Sequence, residues 1–238
     1  PILEADLSRA RERGDEEAAA RIHYMIGDAL RRDEIGRWND ALSHYQQGLK
    51  LARAHRMVEL EVRLHNGLGN TNLKTGKAAA ALENYSEGLK IAQQIEGETT
   101  SVELMIGMGL AAQQMGKPDG TIEYFEAALE FASGPRGGSA GLIRRYRPTI
   151  VVSLGDAWYQ KNDLDRAETY LKEALILDKK HALTPDIRYS LYGTQVEIHL
   201  ARGEVEKARR HLPTLSAIAK AFPAAAEHLA QLESRLEL

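Results

Sequence analysis

The chain has 238 residues, a formal net charge of −3 and no cysteine, which excludes disulfides, thiol catalysis and cysteine metal sites and gives no general attraction to nucleic acid. No apolar run reaches the roughly 18 residues of a membrane-spanning helix and no signal peptide is evident, so we expect a cytoplasmic protein without a membrane partner. No segment alternates apolar and polar residues for long enough to make a convincing strand, which favours an all-α fold.

The first segment of the chain is similar to the end of a later helix. Residues 7–10 (Leu-Ser-Arg-Ala), followed by Gly14, resemble residues 49–52 (Leu-Lys-Leu-Ala), and the chain begins with Pro1 rather than Met. We therefore predict a short helix near residues 2–13 and interpret the chain as a segment of a longer polypeptide.

A pattern of about 40 residues then repeats along the chain. Residues 36–52 and 76–92 place Gly, Ala-Leu, Tyr, Gly-Leu-Lys and Ala in the same slots, a third copy begins at Gly116, a fourth at Asn162 and a degenerate fifth at Gly203. Self-similarity of this period is typical of repeat architectures, in which each unit buries its apolar face against its neighbours. The first residue of a copy falls between periodic segments, where the C-terminus of a helix needs a left-handed residue.

Within each copy, apolar residues recur every three to four positions, which predicts helices. Glycine recurs in the first helix of a pair at Gly69, Gly109 and Gly155, although a helix-interior glycine costs about 1 kcal/mol relative to alanine. This recurrence predicts a close contact between helices. Two further slots in the second helix complete the predicted contact. The aromatic slot holds Tyr45, Tyr85 and Phe125, and the small slot holds Ala41, Ala81, Ala167 and Ala208. The fourth copy also contains Tyr170.

The best copy, with Leu68, Gly69, Gly76, Ala81 and Tyr85, resembles a tetratricopeptide repeat. Because its period is about 40 residues where the common repeat has about 34, the chain is similar to the long-helix subclass found in kinesin light chains, GoLoco-binding adaptors and bacterial peptide-sensing regulators. The resemblance implies a right-handed α-solenoid of antiparallel helix pairs. It predicts twelve helices in three parts: an N-terminal helix in residues 1–14, five pairs in residues 15–221 and a C-terminal capping helix in residues 222–238.

The resemblance also implies a concave groove, lined by one stripe of the first helix of each pair, in which a partner peptide lies. In this chain the stripe is basic at its N-terminal end, apolar in the middle and acidic toward Asp156 and Glu197. Its candidates for peptide binding are Arg63, Asn66, Asn70 and Lys74 in the second pair, Ile106, Leu110, Gln113 and Gln114 in the third, and Tyr159 in the fourth.

The second pair carries the most specific chemistry of this stripe. Its two amides can donate and accept hydrogen bonds at once, as the backbone of an extended peptide requires. Its cations, together with Arg21, Arg31 and Arg32 of the first pair, suit a segment with acidic side chains. The alternative is that surface helices carry polar residues without any partner.

A second basic patch follows the glycine-rich residues 134–141. Arg144, Arg145 and Arg147 are suited to holding a phosphate or an acidic peptide. The competing interpretation is the solvated, basic start of a helix, and we retain the patch as a secondary candidate.

Three motifs that suggest a cofactor or a metal lack the residues that these sites need. Residues 107–112 imitate the Gly-x-Gly-x-x-Ala dinucleotide fingerprint but lie inside a predicted helix, without the preceding strand. The Gly-Lys pairs at 76–77 and 116–117 lack the other residues of a phosphate loop, and the eight histidines show no metal spacing. We therefore predict no catalytic residue, no metal and no cofactor.

These patterns together predict a non-enzymatic scaffold that binds a protein or peptide segment. The alternative is the sensory or regulatory input module of a larger protein, which responds to a peptide or another ligand. No nucleic-acid partner is expected, and the sequence leaves the oligomeric state open.

Overall fold

The computed structural model describes residues 2–32, 36–95, 98–133, 140–180, 183–221 and 225–237. Within these ranges the chain forms twelve α-helices and no strand, which confirms the predicted all-α fold class. The helices, numbered in chain order, are α1 Ile2–Glu12, α2 Glu16–Arg32, α3 Trp38–Ala54, α4 Val58–Lys74, α5 Ala78–Gln94, α6 Glu98–Gln114, α7 Pro118–Ser133, α8 Ala140–Gln160, α9 Leu164–Lys179, α10 Pro185–Ala201, α11 Val205–Ala221 and α12 Ala226–Glu237.

The chain divides into two compact units, unit 1 with residues 1–140 and unit 2 with residues 141–238. Within unit 1 each helix packs against the next, and the first helices of consecutive pairs, α2, α4 and α6, also contact one another. Within unit 2, α10 packs against α9 and α11, and α11 packs against α12. None of the helices in the described ranges is both long and apolar enough to cross a membrane.

The turns inside the pairs contain the predicted left-handed residues. In the second copy the N–H of Gly76 donates to the carbonyl of Leu73 (3.1 Å) and the N–H of Lys77 donates to that of Asn72 (2.9 Å), the pattern of a Schellman motif. Each copy places a positive φ at its first residue: Gly36 (70°), Gly76 (76°), Gly116 (64°), Asn162 (60°) and Gly203 (71°).

The recurring helix glycines make room for the aromatic slot. The ring of Tyr85 is fully buried between two of them, because a Cβ on Gly69 would lie 2.4 Å from its Cε1 and a Cβ on Gly107 would lie 2.6 Å from its Cζ. Gly109 stands in the same relation to Phe125, with a distance of 2.8 Å to Cε1. The predicted close contact between helices is therefore confirmed, as is the burial of the small slot at Ala41, Ala81, Ala167 and Ala208.

The fourth copy has no aromatic residue in this slot. Leu171, rather than Tyr170, fills the aromatic slot, since it is fully buried and a Cβ on Gly155 would lie 2.5 Å from its Cδ2. Tyr170 is only half-buried. The slot lies sixteen residues after the marker glycine, and Tyr170 comes one residue too early, which rotates it by about 100° around the helix.

Candidate functional site

The predicted stripe of the second pair lies on one face of α4. Arg63, Asn66, Asn70 and Lys74 follow one another at intervals of three or four residues, which places them in a row along the helix. Both cations are exposed and both amides are half-buried. At a rise of 1.5 Å per residue, the two cations are about 16 Å apart along the helix axis.

A chain of hydrogen bonds crosses this row. The hydroxyl of Tyr85 on α5 donates to Asn70 Oδ1 (3.0 Å), and Asn70 Nδ2 donates to Asn66 Oδ1 (3.0 Å). Asn66 Nδ2 in turn donates to Glu103 Oε2 on α6 (3.3 Å). These bonds orient both amides, and because an amide has two N–H donors and two acceptor positions, each amide keeps unused capacity for a ligand.

Sequence reasoning missed this chain. From the sequence, Tyr85 was assigned only a packing role, and Glu103 was not among the candidate residues. The bonds join residues that are 15 and 37 positions apart, so the sequence offered no local signal for them. Their consequence is an acidic side chain in the middle of a row that was expected to be basic and neutral.

The cations of the first pair are already engaged by acidic neighbours. Arg31 and Arg32 both pair with Asp28, at 2.7 Å and 2.8 Å. Arg21 pairs with Glu17 at 3.3 Å. The basic N-terminal end of the stripe is therefore largely neutralised within its own helix.

Arg63 and Lys74 on α4 differ from these cations. Within the described part of unit 1 neither makes an ion pair or a side-chain hydrogen bond. Arg63 also borders a cavity of about 310 Å³ at the start of α4, shared with Arg21, Met57 and Leu60. Glu59, in the first turn of α4, lines the same cavity, and its charge offsets the positive end of the helix dipole there.

The third pair contributes less surface than predicted. Ile106 is 2% exposed, because α6 packs against α4, α5 and α7. It therefore belongs to the core and offers no surface to a partner, which corrects the prediction for this residue. Leu110 and Gln113 are half-buried and Gln114 is exposed.

Tyr159 lies in unit 2, at a concavity of about 340 Å³ formed by α8, α10 and α12. Its hydroxyl donates to Glu197 Oε2 (3.2 Å). Asp156 accepts a hydrogen bond from the hydroxyl of Ser190 (2.9 Å) and another from that of Thr194. Burial raises the pKa of the Asp156 carboxyl, and the two hydroxyl bonds oppose that rise.

The secondary basic patch lies in the first half of α8 and consists of Arg144, Arg145 and Arg147. Arg147 pairs with Glu173 on α9. The guanidinium carbon of Arg145 lies 5.4 Å from the ring centroid of Tyr146. The patch is therefore partly neutralised, and residues 134–139 of the preceding glycine-rich stretch lie outside the described residues.

The histidines of unit 1 include one closely bonded pair. His23 Nδ1 and His44 Nδ1 are 3.1 Å apart, and the guanidinium of Arg11 donates toward His23 Nε2 (3.4 Å). Burial, followed by the nearby His44 and Arg11, lowers the pKa of His23 to about 4. Among the described residues, no group of three or more His, Asp or Glu side chains is placed to hold a metal ion.

Comparison with known proteins identifies the repeat. A model of the tetratricopeptide repeat family matches residues 106–182, and no curated protein sequence matches the chain. Residues 106–182 are thus a tetratricopeptide-repeat segment, and the predicted resemblance is confirmed.

Solved structures extend this similarity over nearly the whole chain. BtubC (BKLC) from P. vanneervenii is 20% identical over 93% of this chain and 90% of its own, with a TM-score of 0.69. The apo form of RapI is 13% identical over 99% and 92%, with a TM-score of 0.63. The Rap conjugation gene regulator of plasmid pLS20, solved with the Phr* peptide, is 16% identical over 98% and 70%, with a TM-score of 0.57. At these identities the likeness establishes the fold alone.

Proposed function

We propose that the chain is a non-catalytic scaffold that binds a protein or peptide segment along the row on α4. The observation that carries this proposal is the pair Arg63 and Lys74, two exposed cations without an acidic partner in the described part of unit 1. They stand at the two ends of a row of oriented amides. An exposed cation that its own protein leaves unpaired is free to pair with a carboxylate of another chain.

The dimensions of the row define the segment that would fit. The two cations are about 16 Å apart, and an extended chain advances by about 3.3 Å per residue. Two acidic side chains about five residues apart in an extended segment would therefore reach both cations. The remaining N–H and acceptor positions of Asn66 and Asn70 would bond the backbone between them.

The comparisons support this function at the level of the fold. A tetratricopeptide array commonly serves as a protein-interaction scaffold, and one similar structure was solved with a bound peptide. The acidic character of the partner rests on the charges of this chain alone. The partner's carboxylates must also avoid Glu103, which favours side chains near the ends of the row over side chains at its centre.

The test uses a panel of fluorescein-labelled, extended ten-residue peptides carrying two aspartates three to seven positions apart. Anisotropy titration should show the tightest binding near a separation of five, and added salt should weaken it because both cations are solvent-accessible. The double substitution Arg63→Ala with Asn70→Ala should remove most of the affinity, since a hydrogen bond to a charged group contributes about 1.5–3 kcal/mol.

The matched control is Asn84→Ala with Lys90→Ala, which removes the same charge and the same amide from α5. Lys90 pairs with Glu87 and Asn84 bonds the carbonyl of Ala80, so neither belongs to the row. Circular dichroism should show unchanged helicity in both variants. Unchanged affinity in the first variant, together with loss of affinity on substituting Arg144 and Arg145, would place the partner on the basic patch of unit 2 instead.

A second candidate function is the input module of a larger regulator. It is favoured by the similarity to a conjugation gene regulator solved with a peptide. The two functions use the same row on α4, and they differ in whether occupancy changes the activity of an attached effector. They would be separated by joining an effector domain to the chain and measuring its activity with and without bound peptide.

A further inference from the structure

Unit 2 contains a concavity that the proposed function does not use. Its volume is about 340 Å³, and α8, α10 and α12 enclose it. The residues that matter for its chemistry are Asp156, Tyr159, Tyr189, Gly193, Glu197 and His228.

The polar wall of this concavity presents acceptors. The hydroxyls of Ser190 and Thr194 donate to the two oxygens of Asp156. Tyr159 and Arg235 donate to the two oxygens of Glu197, at 3.2 Å and 2.6 Å. These donors hold both carboxylates in place and leave each carboxylate with unused lone pairs.

A second wall holds an aromatic residue and an imidazole. The hydroxyl of Tyr189 donates to the carbonyl of Ala225 (3.1 Å) and lies 3.3 Å from His228 Nδ1. The rings of Tyr189 and His228 meet edge to face, with centroids 5.8 Å apart. Tyrosine faces attract cations through the ring quadrupole, so this wall also suits a positive group.

Asp156 differs from other carboxylates of unit 2 in its charged neighbour, which is the imidazole of His228 and acts to lower the pKa of Asp156. Glu197 pairs with Arg235 at 2.6 Å and Asp178 pairs with Arg188 at 2.7 Å. Asp156 accepts hydrogen bonds from neutral hydroxyls, and no Arg or Lys among the described residues of unit 2 forms an ion pair with it. A carboxylate that is removed from water without a counter-charge is costly, and a cation brought by a ligand would offset that cost.

Gly193 is independent evidence for open space in this pocket. The other buried helix glycines are required by packing, as a Cβ on Gly155 would lie 2.5 Å from Leu171. A Cβ on Gly193 would meet only His228, at an ordinary distance of 3.4 Å. Since a helix-interior glycine costs about 1 kcal/mol relative to alanine, a glycine without a packing reason is explained by the space it leaves at the pocket.

We propose that this pocket binds a primary ammonium or guanidinium group between Asp156 and the Tyr189 wall, as presented by a lysine or arginine side chain or by a free amine. The group would donate to lone pairs of the carboxylate that the two hydroxyls leave unused. The bound alkyl chain would occupy the space left by Gly193. This site lies entirely within unit 2 and does not depend on the row on α4.

In the test, four probes are titrated against the full chain at pH 8, where an ordinary histidine is neutral. Binding of each probe is measured by ligand-observed nuclear magnetic resonance. The probes are blocked lysine, blocked arginine, 1,5-diaminopentane and blocked norleucine, which matches lysine in its apolar stem and lacks the charge. Lysine and arginine probes should bind and norleucine should not. If blocked lysine binds more tightly than 1,5-diaminopentane, the natural ligand is a side chain of a protein segment. If the diamine binds more tightly, the natural ligand is a free amine.

Two substitutions locate the site. Asp156→Asn keeps the size of the side chain, although one hydroxyl must then accept from the new amide N–H instead of donating, and it should weaken cation binding by about tenfold or more because a charged hydrogen bond is lost. Gly193→Leu should weaken it by filling the space. Asp165→Asn removes the same charge from a side chain that is 95% exposed, and should leave binding unchanged.

The proposal is overturned if norleucine binds as well as lysine, if no cationic probe binds, or if Asp156→Asn binds like the original chain. Thermal melting of each variant distinguishes a lost site from a lost fold. If Asp156→Asn has a lower melting temperature than the original chain, cation binding is compared between the original chain and Gly193→Leu, which leaves the carboxylate in place.

Discussion

The ring of Tyr85 packs between Gly69 and Gly107 while its hydroxyl donates to Asn70 on the neighbouring helix. The same side chain therefore sets the distance between helices and the orientation of an amide in the candidate site. A residue that fills the slot without a hydroxyl, as Phe125 does, can serve only the first purpose.

The first prediction compares two glycines in helix interiors. Gly69→Ala gains helix propensity of about 1 kcal/mol, yet its Cβ would lie 2.4 Å from the Tyr85 ring, and overpacking of this kind costs about 1–3 kcal/mol. We expect a lower free energy of unfolding in urea for this variant. Gly193→Ala meets only an ordinary contact and should be neutral or more stable. A Gly69→Ala protein more stable than the original would show that the ring moves freely.

At the scale of the element, the turns decide where each helix stops. Gly76 has φ of 76°, a conformation that costs other residues roughly 1–2 kcal/mol, and a Cβ there would meet no atom within 4 Å. Its requirement is therefore conformational and not steric. Asn162 occupies the same position in the fourth copy with φ of 60°, since asparagine tolerates the left-handed region better than most residues.

The second prediction follows from this pair of turns. Gly76→Val should lower the free energy of unfolding by about 1–2 kcal/mol, because only the backbone conformation is penalised. Asn162→Gly should leave it unchanged or raise it slightly, because glycine reaches the same φ without strain. Urea titrations with equal slopes would measure both effects. Equal stability of Gly76→Val and the original would mean that the turn rearranges.

Helices and their ends could be predicted from the sequence to a large extent. The predicted first helix near residues 2–13 is observed at Ile2–Glu12, and the first residue of each copy ends a helix as expected. Both rest on local information, namely periodicity and left-handed turn residues. The residue that fills the slot of the fourth copy was not predicted, because the aromatic residue nearest to it, Tyr170, lies one position before Leu171.

At the scale of the whole molecule, burial shifts the pKa values of several histidines in the same direction. It lowers the pKa values of His23, His44 and His65 in unit 1 and of His211 in unit 2. In each case the folded protein disfavours the charged imidazole. Between the folded and the unfolded pKa, the unfolded chain binds more protons, so stability falls as the pH falls.

The third prediction concerns this dependence on pH. For His23 the pKa is about 4 when folded and 6.5 in its ordinary state, so its contribution is complete above pH 6.5 and is lost as the pH falls toward 4. The loss between pH 7 and pH 5 should amount to roughly 1–2 kcal/mol. Urea unfolding monitored at both pH values measures it.

The matched variants are His23→Gln and His55→Gln. The first removes a buried imidazole and should reduce the loss of stability on acidification, even if it lowers stability at pH 7. The second removes an exposed imidazole and should leave the dependence on pH closer to the original. A protein that is equally stable at pH 5 and pH 7 would contradict the proposed role of the buried histidines.

The sequence by itself determined the repeat, the helix pairs and the slots that must be small, because these depend on periodicity and on the backbone conformations that glycine alone reaches easily. It also placed Arg63, Asn66, Asn70 and Lys74 on one face of a helix, and their role in binding stays a prediction. Only the tertiary structure decided which polar groups remain free. Arg31 and Arg32 share the single carboxylate of Asp28. Asn66 donates to Glu103 and Ile106 is buried, because these contacts depend on neighbouring helices that are distant along the chain.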